Sequence, residues 1–181
     1  MQDREFVRIG LRLFQEGLVG GNFGNMSMRT ENGFVVTGTG TYLDDPGELV
    51  EVPLEGEAPE GASSEYRVHQ AVYRTSGHDA IVHAHPPMAV AASCALSLIR
   101  PIDSEGEMLC PEIRVVGGAP GTQELADAVA GALVDAHLVI ARGHGTFAAG
   151  KTLDEAYLYT SLAEHACRVL AYSGLFGGCN R

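Results

Sequence analysis

Positive charge is scarce in this chain. Of 181 residues, 12 are Lys or Arg and 23 are Asp or Glu, so the formal net charge is −11 and the pI about 4.9. Such a surface repels nucleic acid and anionic membranes, and neither is expected as a partner. An anionic small substrate would need a local device to hold it against that field. Lysine is scarcest of all, with Lys151 the only one. No apolar run reaches 18 residues, which argues against a membrane span. The opening MQDREFVRIG carries charge where a secretory leader needs an apolar stretch, so the expected location is the cytoplasm. Cysteine is sparse too. Cys94, Cys110, Cys167 and Cys179 form no CxxC pair, which predicts reduced thiols and argues against a cysteine-rich zinc site. No Walker pattern, dinucleotide fingerprint or GxSxG elbow occurs.

What is present suits a sizeable core. With 45% hydrophobic and 19% charged residues, the chain reads as one globular domain over residues 1–181. Phe6, Ile9, Leu13 and Phe14 recur at helical spacing, predicting a helix over 3–16 capped by Asp3. Residues 20–27 read as a glycine- and asparagine-rich loop. FVVT at 34–37 reads as a strand. The acidic stretch 44–61 reads as a surface excursion with a short strand near 49–52. Further helices are expected over 64–76, 88–97 and 153–173, and from Thr122 onward. Further strands are expected over 80–85, 112–118 and 137–143. Ser63 or Ser64 would cap the 64–76 helix. Thr152 and Glu155 have capping-box spacing. Strands and helices alternate, so the class is α/β.

The most informative stretch is IVHAHPP, residues 81–87. In an extended chain, side chains at i and i+2 share a face, so His83 and His85 stand side by side. Two imidazoles on one face suit a divalent metal, and a site with an open position wants about three protein ligands. His144 fits the third place. It follows an apolar strand and is flanked by Gly143 and Gly145, which allow the backbone to turn the ring inward. Glu65, at a predicted helix start, is a candidate fourth ligand or base. His69, His78, His137 and His165 lack such context and read as structural, though His69 lies one turn beyond Glu65 and could support the site from behind. Three polar turns, GNFGN (21–25), TGTG (37–40) and SSE (63–65), offer hydroxyl, amide and bare N–H groups suited to an anion. GGAPGT (117–122) reads as ordinary capping.

In order, GNFGNMSMR, TGTG, SSEYRVHQAVY, IVHAHPP and RGHGTFAAGKTLDEAY resemble the class II aldolase and adducin family, especially its zinc-dependent sugar-phosphate aldolases. The resemblance covers about residues 6–170. It implies a three-layer α/β/α fold with a central mixed, largely antiparallel sheet. It also implies a homotetramer with active sites at subunit boundaries. By it, His83, His85 and His144 would bind Zn²⁺, with Glu65 beside the metal as ligand and catalytic base. Asn25, Thr39, Gly40, Ser63 and Ser64 would hold the substrate phosphate. Asn22 stands where the family usually has threonine. The implied reaction is reversible cleavage of a ketose 1-phosphate, such as L-fuculose 1-phosphate. The products are dihydroxyacetone phosphate and an aldehyde, through a metal-stabilised enediolate. No Schiff-base lysine is needed, which suits a chain whose only lysine sits in a predicted turn. Two departures stand out. The family's aldolases carry a tyrosine, donated by a neighbouring subunit and expected between the HxH strand and the GHG turn, and here no tyrosine lies between Tyr73 and Tyr157. The stretch after the last predicted helix, GLFGGCNR, also lacks the longer tyrosine-bearing tail of some members. Asp103, Ser104 and Glu105 occupy that part of the chain. The same scaffold hosts dehydratases, epimerases and decarboxylases of sugar phosphates. It also hosts adducin-like interaction modules, which should lose the metal ligands retained here.

Overall fold

The computed structural model describes residues 2–176. The chain runs α1 (Gln2–Gln15), β1 (Asn25–Arg29), β2 (Gly33–Val36), β3 (Val50–Pro53), α2 (Tyr66–Thr75), β4 (Ala80–Ala84), α3 (Pro87–Ala95) and β5 (Leu98–Ile99). It continues α4 (Ser104–Leu109), β6 (Ile113–Val116), α5 (Gln123–Ala132), β7 (Leu138–Ala141), β8 (Gly145–Gly150) and α6 (Leu153–Ser173). The strands form one sheet in the order β3-β2-β1-β4-β8-β7-β6-β5. Only β6 and β7 pair in parallel, and the other neighbours are antiparallel. The resemblance's expectation of a mixed, largely antiparallel sheet between helical layers is met.

Strand alternation builds the layers. Ile81, Val139, Phe147 and Ala149 face a core shared with α2 and α5. Ala80, Val82 and Ala84, and in the neighbouring strands Leu138, Ile140 and Ala148, face cores shared with α1, α3 and α6. Both faces of the central strands are therefore buried. Phe34 and Phe147 are fully enclosed, and burying a side chain of that size stabilises by about 1.5–3 kcal/mol.

Several expectations need correction. α1 begins at Gln2, so Asp3 lies inside the helix rather than capping it. The stretch read as a loop over 20–27 yields a central strand from Asn25. GTFAAG, to which no strand was assigned, is β8, buried along its whole length between β4 and β7. β5 and α4 were also unforeseen. Asp103 caps α4, accepting the Gly106 N–H at 3.0 Å. Neither Ser63 nor Ser64 is the N-cap of α2. That position is Glu65, whose side chain makes no cap hydrogen bond, while Ser63 Oγ accepts the Glu65 N–H at 3.3 Å. Thr122 and Thr152 cap α5 and α6 as read. Cys94, Cys110 and Cys167 are free thiols, and Cys179 lies outside the described residues. No described helix is long and apolar enough to cross a membrane.

Candidate active site

His83 is the one polar residue of β4, buried on the α2/α5 side of the sheet. Its ring stacks on Phe147 of β8, centroids 4.1 Å apart and nearly parallel, the residue opposite it in register. Its Nδ1–H donates to the Thr146 carbonyl at 2.9 Å, so its Nε2 lone pair is left for another partner. His85, just past the strand end, turns to the same side, with its Nε2 3.0 Å from His83 Nε2. His144 closes the group from the β7–β8 turn, with ring centroids 4.7 Å from His83 and 5.1 Å from His85. One nitrogen from each ring lies within 4.8 Å of the others.

Two glycines make this convergence possible. A side chain at Gly145 would strike the Ala84 carbonyl oxygen at 2.3 Å and both the His83 and His85 rings at 3.0 Å. Gly24 sits at φ +81°, and a side chain there would lie 2.5 Å from the His83 carbonyl oxygen. The glycines flanking His144 thus act as the sequence suggested, Gly143 through its positive φ and Gly145 through close approach.

Glu65 stands at the start of α2, with Oε1 3.9 Å from His144 Nε2. The same oxygen accepts the Gly121 N–H at 3.0 Å. Oε2 is buried without a hydrogen-bond partner, and so is His144 Nδ1. Burial raises the Glu65 pKa, opposed by the Gly121 hydrogen bond. Three neutral imidazoles converging beside an unsatisfied buried carboxylate oxygen form a donor set that fits a divalent cation. The metal would be held by His83, His85 and His144, with Glu65 alongside.

All the residues singled out in the polar turns line the same cleft, about 370 Å³ in volume. Asn22, Asn25, Thr39, Gly40, Ser63 and Ser64 share its walls with Glu65 and the three histidines. A larger cavity, about 490 Å³, shares no lining residue with it. Sequence reasoning missed three contributors. Phe23, half exposed, stacks on His85 with centroids 5.5 Å apart. Pro120 lines the cleft and Gly121 holds Glu65, so the GGAPGT turn is more than a cap. No sequence signal ties Gly121 to Glu65, because the contact is made only when α5 docks beside α2. Asp103, Ser104 and Glu105 do not line the cleft of their own chain.

Burial also sets the charge states. It lowers His83 well below the ordinary imidazole value, helped by His85 and His144. His85 is lowered to about 4, first by burial and then by His144, and burial lowers His144. His69, behind the cleft, is lowered to about 3 by burial. The unfolded chain protonates these rings as pH falls through about 6.5. The folded metal-free chain resists, so it is the unfolded state that gains protons and stability is lost on acidification. The expected slope is about 1.4 kcal/mol per pH unit for each fully buried ring, His69 and His83. Urea unfolding of the metal-free protein checks this. The midpoint should fall between about pH 7 and pH 5, and a flat profile would mean that these rings titrate as if in water.

The model of the class II aldolase and adducin N-terminal domain matches residues 4–171. The chain belongs to the class II aldolase and adducin family. Within it, the chain is 30% identical over 174 residues to an L-fuculose phosphate aldolase of Methanococcus vannielii, covering 93% of this chain and 95% of that one. The crystal structure of L-fuculose-1-phosphate aldolase from Thermus thermophilus is similar at 41% identity and a TM-score of 0.93, covering 98% and 96% of the two chains. A 3-oxo-tetronate 4-phosphate decarboxylase of Escherichia coli is 32% identical over 164 residues, covering 84% of this chain and 77% of that one. The family therefore accounts for the fold, while its members include both aldolases and a decarboxylase.

Proposed function

We propose that the protein is a zinc-dependent aldolase that reversibly cleaves a ketose 1-phosphate, with L-fuculose 1-phosphate the substrate to test first. The products would be dihydroxyacetone phosphate and an aldehyde. The observation carrying this reading is that one cleft gathers a three-histidine group, a buried carboxylate with a free oxygen, and three polar turns. Zinc bound there would supply Lewis-acid polarisation of the substrate carbonyl. The residues do the rest. His83, His85 and His144 present neutral nitrogens because burial keeps protons off them. Glu65 takes or returns a proton at the carbon beside the carbonyl. Burial raises its pKa in the metal-free chain, and a cation bound alongside would act against that shift. Asn22, Asn25, Thr39, Gly40, Ser63 and Ser64 would position the phosphate through neutral donors. That is the local device an acidic protein needs.

The homotetramer that the resemblance implies, and the cytoplasm that the charged opening MQDREFVRIG suggests, complete this proposal. The second reading is decarboxylation of a phosphorylated sugar acid on the same metal and phosphate groups. The decarboxylase relative favours it, as does the lack of any tyrosine in the sequence between Tyr73 and Tyr157. A cleavage assay separates the two. Zinc-loaded protein given L-fuculose 1-phosphate should release dihydroxyacetone phosphate, read through a coupled dehydrogenase. No release from folded, metal-loaded protein would remove L-fuculose 1-phosphate as the substrate and move the reading to the dehydratase, epimerase and decarboxylase branch.

A further inference from the structure

Behind the cleft runs a buried hydrogen-bond chain whose inner members, Ser27, His69 and Tyr73, the proposed chemistry does not use. Asn25 and Ser27 are two apart on β1 and share a face. His69 and Tyr73 are four apart on α2 and share another. The two faces meet. His69 Nε2 lies 2.5 Å from Asn25 Oδ1, and His69 Nδ1 lies 2.6 Å from Ser27 Oγ. Ser27 Oγ lies 2.7 Å from the Tyr73 hydroxyl. His69 and Ser27 are fully enclosed and Tyr73 nearly so, while Asn25 reaches the cleft.

The direction of this chain decides what Asn25 shows to the cleft. Burial keeps His69 neutral, so one ring nitrogen donates and the other accepts. In one direction, Tyr73 O–H donates to Ser27, Ser27 O–H donates to His69 Nδ1, and His69 Nε2–H donates to Asn25 Oδ1. Every proton then has an acceptor. In the reverse direction, the Tyr73 hydroxyl proton must turn away from Ser27, its one hydrogen-bond partner among the described residues. An unpaired buried O–H is costly, so the first direction wins. Asn25 then spends its carbonyl on His69 and keeps its NH₂ for the cleft.

We propose that His69, held in its Nε2–H tautomer by Ser27 and Tyr73, is a positioning residue that turns the Asn25 amide so that its NH₂ group faces the bound anion. This rests on the reading that the substrate phosphate lies against Asn25. With the amide the other way round, a carbonyl oxygen would face that phosphate and repel it.

Nitrogen NMR on the histidine-labelled, metal-loaded full chain tests the relay directly. His69 should show a protonated Nε2 and a bare Nδ1, the opposite of a ring donating from Nδ1. A protonated Nδ1 overturns the proposal, whatever the variants do. Inorganic phosphate is the binding probe. Tyr73→Phe removes the donor that sets the direction, and should weaken phosphate by about 3- to 10-fold with metal content unchanged. Asn25→Ala calibrates the site. If Asn25→Ala weakens phosphate but Tyr73→Phe does not, the positioning role is wrong while the phosphate reading stands. If Asn25→Ala binds phosphate like the unsubstituted protein, the phosphate reading fails and the positioning role goes with it.

Discussion

Replacing His144 by alanine should strip the protein of its metal while leaving it folded. The ring is half-buried in the β7–β8 turn, and its Nδ1 makes no hydrogen bond that the fold would miss. The turn itself is held by backbone, since the His144 N–H donates to the Ala141 carbonyl at 3.0 Å and the Gly143 N–H to Ser93 Oγ at 2.9 Å. Both bonds survive the substitution. Only His83 and His85 would remain as imidazole donors. Zinc held by protein ligands at neutral pH is worth about 10–16 kcal/mol in all, so losing one ring should cost on the order of 10²-fold or more in affinity. Metal analysis by mass spectrometry after dialysis against a mild chelator is the measurement. His83→Ala should lose metal too. It should also unfold more easily, because that ring fills space against Phe147 and satisfies the Thr146 carbonyl. Stoichiometric metal in both variants would show that the three histidines are not the site.

Glu65→Gln should do the converse, keeping metal and fold while losing turnover. Glutamine has the same shape and still offers an oxygen to the Gly121 N–H. It carries no charge, so it escapes the burial cost that raises the glutamate pKa. Thermal stability should therefore hold or rise slightly. The amide cannot take the proton, and general acid–base catalysis is worth about 10²–10⁴-fold, which sets the expected fall in kcat. Measured on zinc-loaded protein with L-fuculose 1-phosphate, unchanged kcat would remove Glu65 from the proton transfer. A large fall accompanied by loss of metal would instead make Glu65 chiefly a ligand.

The two substitutions separate because the fold delivers their side chains by different routes. His83 and His85 come from a single strand end and converge by the two-residue period of an extended chain. Glu65 arrives on a helix start from one side of the sheet and is fastened by an N–H from the loop before the neighbouring helix. This loop, GGAPGT, looked like plain capping. Thr122 indeed caps α5, accepting the Leu125 N–H at 3.2 Å, yet the residue before it holds the candidate base.

Local patterning was enough to reveal the histidine pair, the bend at His144, the polar turns and most helices, because each depends on spacing within a few residues. The family resemblance then supplied the sheet type that alternation of elements alone did not. Two central strands escaped. NMSMR and GTFAAG carry small or polar residues with little strand preference of their own. They become strands because neighbours pair with them on both sides and helices cover both faces. Glu65 likewise read as following serine caps, whereas packing buries it beside His144. The same packing joins His69 to Asn25, and Gly121 to Glu65. Contacts between residues far apart in the chain depend on how layers dock, and no short window of sequence contains that information. The chemistry of the ligands was thus legible locally, but their convergence on one cleft, the charge states burial imposes and the direction of the relay behind Asn25 were decided by tertiary structure.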